Sequence, residues 1–279
     1  MQNQSVPNAF SNFAHQCVSH DKAASLFCVK VTTVAENHPQ MLTHLIRVCH
    51  MTAEEAQAEI TSSHFATAFV VGETETEYSI LTCAHLLEKY YSAEYQLTDE
   101  QLENWFDVRA ICNHYEQHRN AYIPNIHANP DVDTRNYTHA SITRFDQGRD
   151  LMLLDIPKQF LYGTQNFVRC YMPHPALRLA NGVPKRLDDV TMVSWPPCRD
   201  DTAVIGQVVK QSRHYGQITR DLSKGYTMML MELDITGDCG SSGAPILNHH
   251  ARVISMYHGR LNSVGYGVST DDIWQFLAP

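Results

Sequence analysis

The chain has 279 residues, 43% of them hydrophobic and 18% charged, a globular composition long enough for about two folded units. A net charge of −9, from 21 Lys+Arg against 30 Asp+Glu, argues against a general binder of nucleic acid or of an anionic membrane surface. No run reaches the ~20 apolar residues that a membrane helix needs, and the first five residues carry neither the basic nor the apolar part of a secretory signal.

Residues 1–24 are polar and read as a loose segment. Strand signals follow at 25–31, 66–72 and 78–82, the last two forming a hairpin around a turn of Gly, Thr and Glu. Between them, 34–62 holds a helix-like insertion with Thr52 as cap and Glu55 three residues on. A short helix is expected after His85. The segment 97–105 reads as a second capped helix, with Thr98 and Gln101 forming a capping box. Residues 106–111 read as a strand within a polar stretch, 90–140, that is otherwise hard to place. Strands return at 140–145 and 151–156. A connecting stretch, 158–188, follows. Further strands are expected at 190–195, 203–210, 226–233, 245–247, 252–257 and 265–268, with a capped helix over 270–277. Many short strands and one closing helix predict an all-β fold of two barrels or a sandwich.

Three segments carry candidate chemistry. In Leu81-Thr82-Cys83-Ala84-His85 a histidine ends an apolar strand. In Arg149-Asp150-Leu151-Met152-Leu153-Leu154 an acid opens one. In Gly240-Ser241-Ser242-Gly243-Ala244-Pro245 glycines flank a serine, which lets the backbone curl until its N–H groups converge. A hydroxyl nucleophile needs a base within reach, an acid to fix the base's tautomer, and N–H donors for the developing oxyanion. Each segment alone is more often structural; their order and strand contexts point to catalysis together.

The three segments resemble those of the trypsin-like, chymotrypsin-fold peptidases of the PA clan. Thr82-Cys83-Ala84-His85 is similar to that family's T-A-A-H. Asp150-Leu151-Met152-Leu153-Leu154 is similar to its D-[IL]-A-L-[IL], and Gly240–Pro245 to its G-D-S-G-G-P. Met192-Val193-Ser194-Trp195, Arg252-Val253-Ile254-Ser255-Met256-Tyr257 and Gly265-Tyr266-Gly267-Val268 extend the resemblance, and the spacing after Ser242 is like that of HtrA-like, intracellular branches. The resemblance implies two six-stranded antiparallel β-barrels with a short C-terminal helix. The first spans 25–157 with an insertion at about 90–140, and the second spans 189–279. It implies an endopeptidase acting on protein or peptide substrates without metal or organic cofactor. His85 is then the base, Asp150 its orienting acid, Ser242 the nucleophile, and the N–H groups of Gly240 and Ser242 the oxyanion hole. Ser241 stands where zymogen-activated members carry Asp, which implies a site formed without proteolytic activation.

Gly237-Asp238-Cys239-Gly240 is similar to the G-D-C-G of viral 3C-like cysteine peptidases, which makes Cys239 an alternative nucleophile that would process a viral polyprotein. Gly at −2 and +1 and Pro at +3 favour Ser242. The 3C-like family also places a substrate-binding histidine on the following strand. Here Tyr257 holds that position, and strand alternation predicts that His258 faces away. A third reading is a trypsin-like scaffold without catalysis that binds proteins. Family register places Thr236 at the base of the specificity pocket, with Tyr257 and Gly259 beside it, which implies an uncharged P1 preference. Asp234 and Asp238 are the nearest acids to it in sequence.

The eight cysteines (17, 28, 49, 83, 112, 170, 198 and 239) form no CxxC pair, so reduced thiols and a cytoplasmic home are expected. Cys112-Asn113-His114 with His118 could supply metal ligands, since His114 and His118 would share a helix face. Without a second cysteine pair nearby, a surface loop is the expected reading, and no metal site is expected. His249-His250 reads as a solvated turn.

Overall fold

The computed structural model describes residues 22–114, 133, 135–161, 169–197, 202–261 and 263–278. The fold is mostly β. Strands β1 (Leu26–Thr33), β2 (His64–Glu73), β3 (Glu77–Thr82), β4 (Phe106–Cys112), β5 (Thr138–His139), β6 (Ser141–Asp146) and β7 (Leu151–Pro157) make a seven-stranded sheet in the order β5-β4-β1-β2-β3-β7-β6. Strands β8 (Asp189–Ser194), β9 (Thr202–His214), β10 (Met229–Leu233), β11 (Pro245–Asn248), β12 (Val253–Leu261) and β13 (Val264–Ser269) close into a barrel, β10-β13-β12-β11-β8-β9. The expected pair of six-stranded barrels is thus realised as one closed barrel and one curled half-barrel.

Leu26, Phe27, Cys28 and Val29 are fully buried on β1, which lies between β2 and β4. Strand β4 is therefore a central strand of the first sheet, not part of an insertion. Residues 115–132, within the stretch expected as an insertion, lie outside the described residues. Among the described residues, four α-helices decorate the strands: α1 (His38–Arg47), α2 (Ala53–Glu59), α3 (Asp99–Trp105) and α4 (Thr270–Leu277). Both expected capping boxes form, Thr52 with Glu55 and Thr98 with Gln101. A 3-10 turn follows Cys83 over Ala84–Tyr90.

One apolar cluster runs through both sheets. It joins Phe27, Phe69, Ile80 and Leu154 of the first to Leu247, Met256, Val268 and Ile273 of the second half. Helix α4 ties the halves again: Arg144 of β6 donates to the carbonyls of Phe276 and, at 2.8 Å, Ala278. No helix among the described residues is long and apolar enough to cross a membrane.

Candidate active site

The site lies where β3, β7, β12 and the β10–β11 loop meet. His85 follows β3 at the start of the 3-10 turn, and Asp150 immediately precedes β7, which pairs with β3. Their proximity is a product of that pairing: Thr82 and Met152 are directly opposed. Asp150 adopts φ 57°, a left-handed conformation that aspartate tolerates better than most residues. This turn brings its carboxylate back over His85. Asp150 Oδ1 accepts the His85 backbone N–H at 2.7 Å, and Oδ2 accepts from the ring Nδ1 at 2.8 Å.

A third donor was not foreseen. His258 Nδ1 reaches the same Oδ2 at 2.5 Å, and the two imidazoles meet edge to face, 5.1 Å between centroids. Strand alternation predicted that His258 would face away; the structure corrects this. The β12–β13 register shifts between Tyr257 and Gly259, so a bulge at His258 resets the alternation and aims its ring at Asp150. Gly259, a glycine inside a strand run, is the sequence signal that marks such a bulge.

The Asp150 carboxylate is fully buried. Burial by itself opposes its charge, but the fields and hydrogen bonds of His85 and His258 outweigh that and hold the carboxyl well below its ordinary range. Burial likewise opposes a charged His85, yet the adjacent Asp150 charge wins and raises its pKa well above that of an ordinary histidine.

Ser242 sits in the turn before β11. Gly240 and Gly243 on either side adopt φ of 91° and 83°. A Cβ on Gly243 would stand 2.1 Å from the Thr67 carbonyl oxygen, so only glycine lets the two backbones approach. Thr67 of β2 braces this turn from the other sheet. Its N–H donates to the Ser242 carbonyl at 2.9 Å and its hydroxyl to the Gly240 carbonyl at 2.9 Å. The same hydroxyl accepts from the Trp195 N–H at 3.0 Å. Buried Ser241 adds Oγ contacts of 3.1 Å to the Asp238 N–H and to Ser194 Oγ. Among the described residues, the N–H groups of Gly240 and Ser242 donate to no other protein group.

Ser242 Oγ donates to the His258 carbonyl at 3.3 Å, and among the described residues no hydrogen bond joins it to His85. The hydroxyl rests on β12. Cys239 is exposed on the outer part of the loop. Of the expected pocket residues, Thr236 is exposed, while Tyr257 is buried and its hydroxyl accepts from the Gly237 N–H at 3.1 Å. Gly259 faces open space. A cavity of about 250 Å³ lies beside it, lined by Tyr215, Thr219, Leu230 and His258 among others.

The trypsin-like peptidase domain family matches residues 66–256. The chain belongs to this family. No curated protein sequence matches it. Among solved structures, the active form of the Rv3671c protease from M. tuberculosis is similar at a TM-score of 0.57 and 14% identity, covering 95% of this chain and 84% of that one. The inactive form of that protease matches at 0.55 and 14%, covering 95% and 93%. Deg5 matches at 0.55 and 13%, covering 95% and 92%. At such identities the likeness concerns the fold.

Proposed function

We propose that the protein is an endopeptidase that cleaves peptide bonds through an acyl-enzyme on Ser242. The observation that carries this reading is Asp150 clasping His85 at both Nδ1 and the backbone N–H, which leaves Nε2 as the free basic nitrogen. A substrate N–H that takes the His258 carbonyl displaces the Ser242 hydroxyl toward that nitrogen. Oγ then attacks the scissile carbonyl carbon while its proton passes to Nε2. The oxyanion settles on the unused N–H groups of Gly240 and Ser242. Collapse breaks the C–N bond, and His85 returns the proton to the leaving amine. Water, activated by the same base, hydrolyses the ester.

Tyr257 still pairs through its N–H with the Ala244 carbonyl and through its carbonyl with the Gly243 N–H; past it β12 has no β11 partner, so its outer edge is available to an extended peptide. For the P1 side chain we keep Thr236, Tyr257 and Gly259 as the pocket. Thr236 carries no charge to pair with a cationic P1 group, and Asp234 and Asp238, exposed as Thr236 is, are the nearest acids in sequence. Uncharged P1 residues are favoured; an arginine substrate winning by about tenfold, ~1.4 kcal/mol, rejects that pocket.

A fluorophosphonate probe should label the chain at Ser242, and labelling should vanish in Ser242→Ala but survive Cys239→Ala. The reverse pattern makes Cys239 the nucleophile. If a peptide library is cut no faster by the wild type than by Ser242→Ala, the chain is a binding scaffold and the peptidase reading is wrong.

A further inference from the structure

Cys112, His114, Cys170 and His174 come together from two distant stretches of chain. One ligand atom from each lies within 4.8 Å of all the others. Cys112 ends β4 and His114 follows it, while Cys170 and His174 belong to the segment that leaves the first sheet for the second. We propose that these four side chains form a structural zinc site. It contradicts the surface-loop reading of Cys112 and His114; His118, their expected partner, lies outside the described residues.

The donor set is two sulfurs and two imidazoles, which suits a tetrahedral, borderline-soft cation and leaves no open position for catalysis. The spacing fits as well. A tetrahedron with Zn–S about 2.3 Å and Zn–N about 2.0 Å has S···N edges of about 3.5 Å. Cys170 Sγ lies 3.5 Å from His174 Nε2 and 3.7 Å from His114 Nδ1.

The surroundings orient these ligands. His174 Nδ1 lies 2.7 Å from the Ala24 carbonyl and donates to it, which leaves Nε2 as the lone-pair nitrogen facing the sulfurs. A backbone carbonyl on the far nitrogen is the usual partner of a metal-bound histidine. The rings of Phe27 and Tyr78 flank His174 at 5.0 and 5.1 Å and hold its plane. Cys112 and His174 are buried, His114 and Cys170 half-buried, so water is largely excluded while an ion retains a path in.

The ion would do mechanical work. It fastens the connecting segment to the end of β4, just before that segment pairs Leu177 with Val70 and Ala180 with Val253. A ligand that binds only the folded state stabilises that state.

The test is metal analysis of the full chain purified under reductant. One equivalent of zinc per chain is expected. A strong chelator should remove it and lower the Tm by about 5 °C or more. It should also expose Cys112 and Cys170 to alkylation, which zinc otherwise blocks. Cobalt(II) added to the stripped chain should give the intense visible bands of a tetrahedral site and a thiolate charge-transfer band. The variant Cys112→Ser/Cys170→Ser should lose the equivalent and Cys239→Ser keep it; if the double variant does not fold, the cobalt spectrum of the wild type decides. A folded, reduced wild-type chain with neither zinc nor cobalt bands overturns the proposal. So does a Cys112–Cys170 disulfide found in its place.

Discussion

Asp150 carries three donors on one buried carboxylate, and two of them are imidazoles on the same oxygen. A hydrogen bond to a charged group is worth about 1.5–3 kcal/mol, so His258 is a positioning residue with a measurable share in the site. In His258→Phe, kcat should fall about 10-fold or more with KM little changed, since 1.4 kcal/mol is tenfold. His258→Asn, which can still donate, should recover part of it. With Asp150 left to His85 alone, the His85 proton is held more tightly, so the acid limb of the pH profile should move up in His258→Phe. An unmoved limb shows that His258 is packing only.

The wild-type limb is itself informative. His85 must be neutral to accept a proton, and its pKa is raised, so kcat/KM should reach half its maximum above pH ~6.5, the ordinary histidine value. A midpoint at or below that value contradicts the assignment. The pair also stabilises the fold in opposite directions of pH. The raised His85 pKa contributes stability that is whole below its unfolded value and is lost as pH rises through the folded one. The depressed Asp150 pKa contributes above its unfolded value and is lost as pH falls through the folded one.

At the scale of elements, the Ser242 turn depends on β2. Removing the Thr67 hydroxyl in Thr67→Val unties the Gly240 carbonyl and the Trp195 N–H while keeping the side-chain shape. The expected result is a loss of about tenfold or more in kcat/KM, with Thr67→Ser close to wild type. Equal rates for all three would show that the turn holds itself. Strands were readable because their apolar runs alternate or stay continuous; β3, β7 and β11 begin and end within a residue of expectation. Caps were readable because the Thr52–Glu55 and Thr98–Gln101 pairs are local. The bulge at His258 went unread although Gly259 marks it, because a glycine allows a bulge while the partner strand's register decides where it falls. Strand β5 was also missed: two residues give no period, and it exists because β4 offers Arg109 and Ala110 as partners. Helix α1 went unread since His, Pro and Thr dilute its apolar stripe, leaving Met41 and Leu45 as its buried apolar residues.

At the scale of the molecule, the shared apolar cluster and the α4–β6 tie predict that the two sheets unfold together. Near-UV circular dichroism and tryptophan fluorescence should follow one coincident thermal transition. Two separated midpoints would mean that the halves are independent. The His85–Asp150 pair was legible because each member sits in a short motif with its own strand context. The cluster of Cys112, His114, Cys170 and His174 was not, since neither half has a full ligand pair pattern and only the fold brings them together.

Each half of the site is held in place by the other. Thr67, in the first sheet, supports the turn that carries Ser242, and His258, in the barrel, grips the acid that orients His85. A ribosome delivers the first sheet well before β12, and early segments begin folding as they emerge. The nascent chain therefore exposes a histidine and an acid with no serine, and afterwards a serine whose turn is not yet braced. For the peptidase proposed above, hydrolytic competence then waits until both halves have folded against each other, so a polypeptide still being synthesised beside others has nothing with which to cut them.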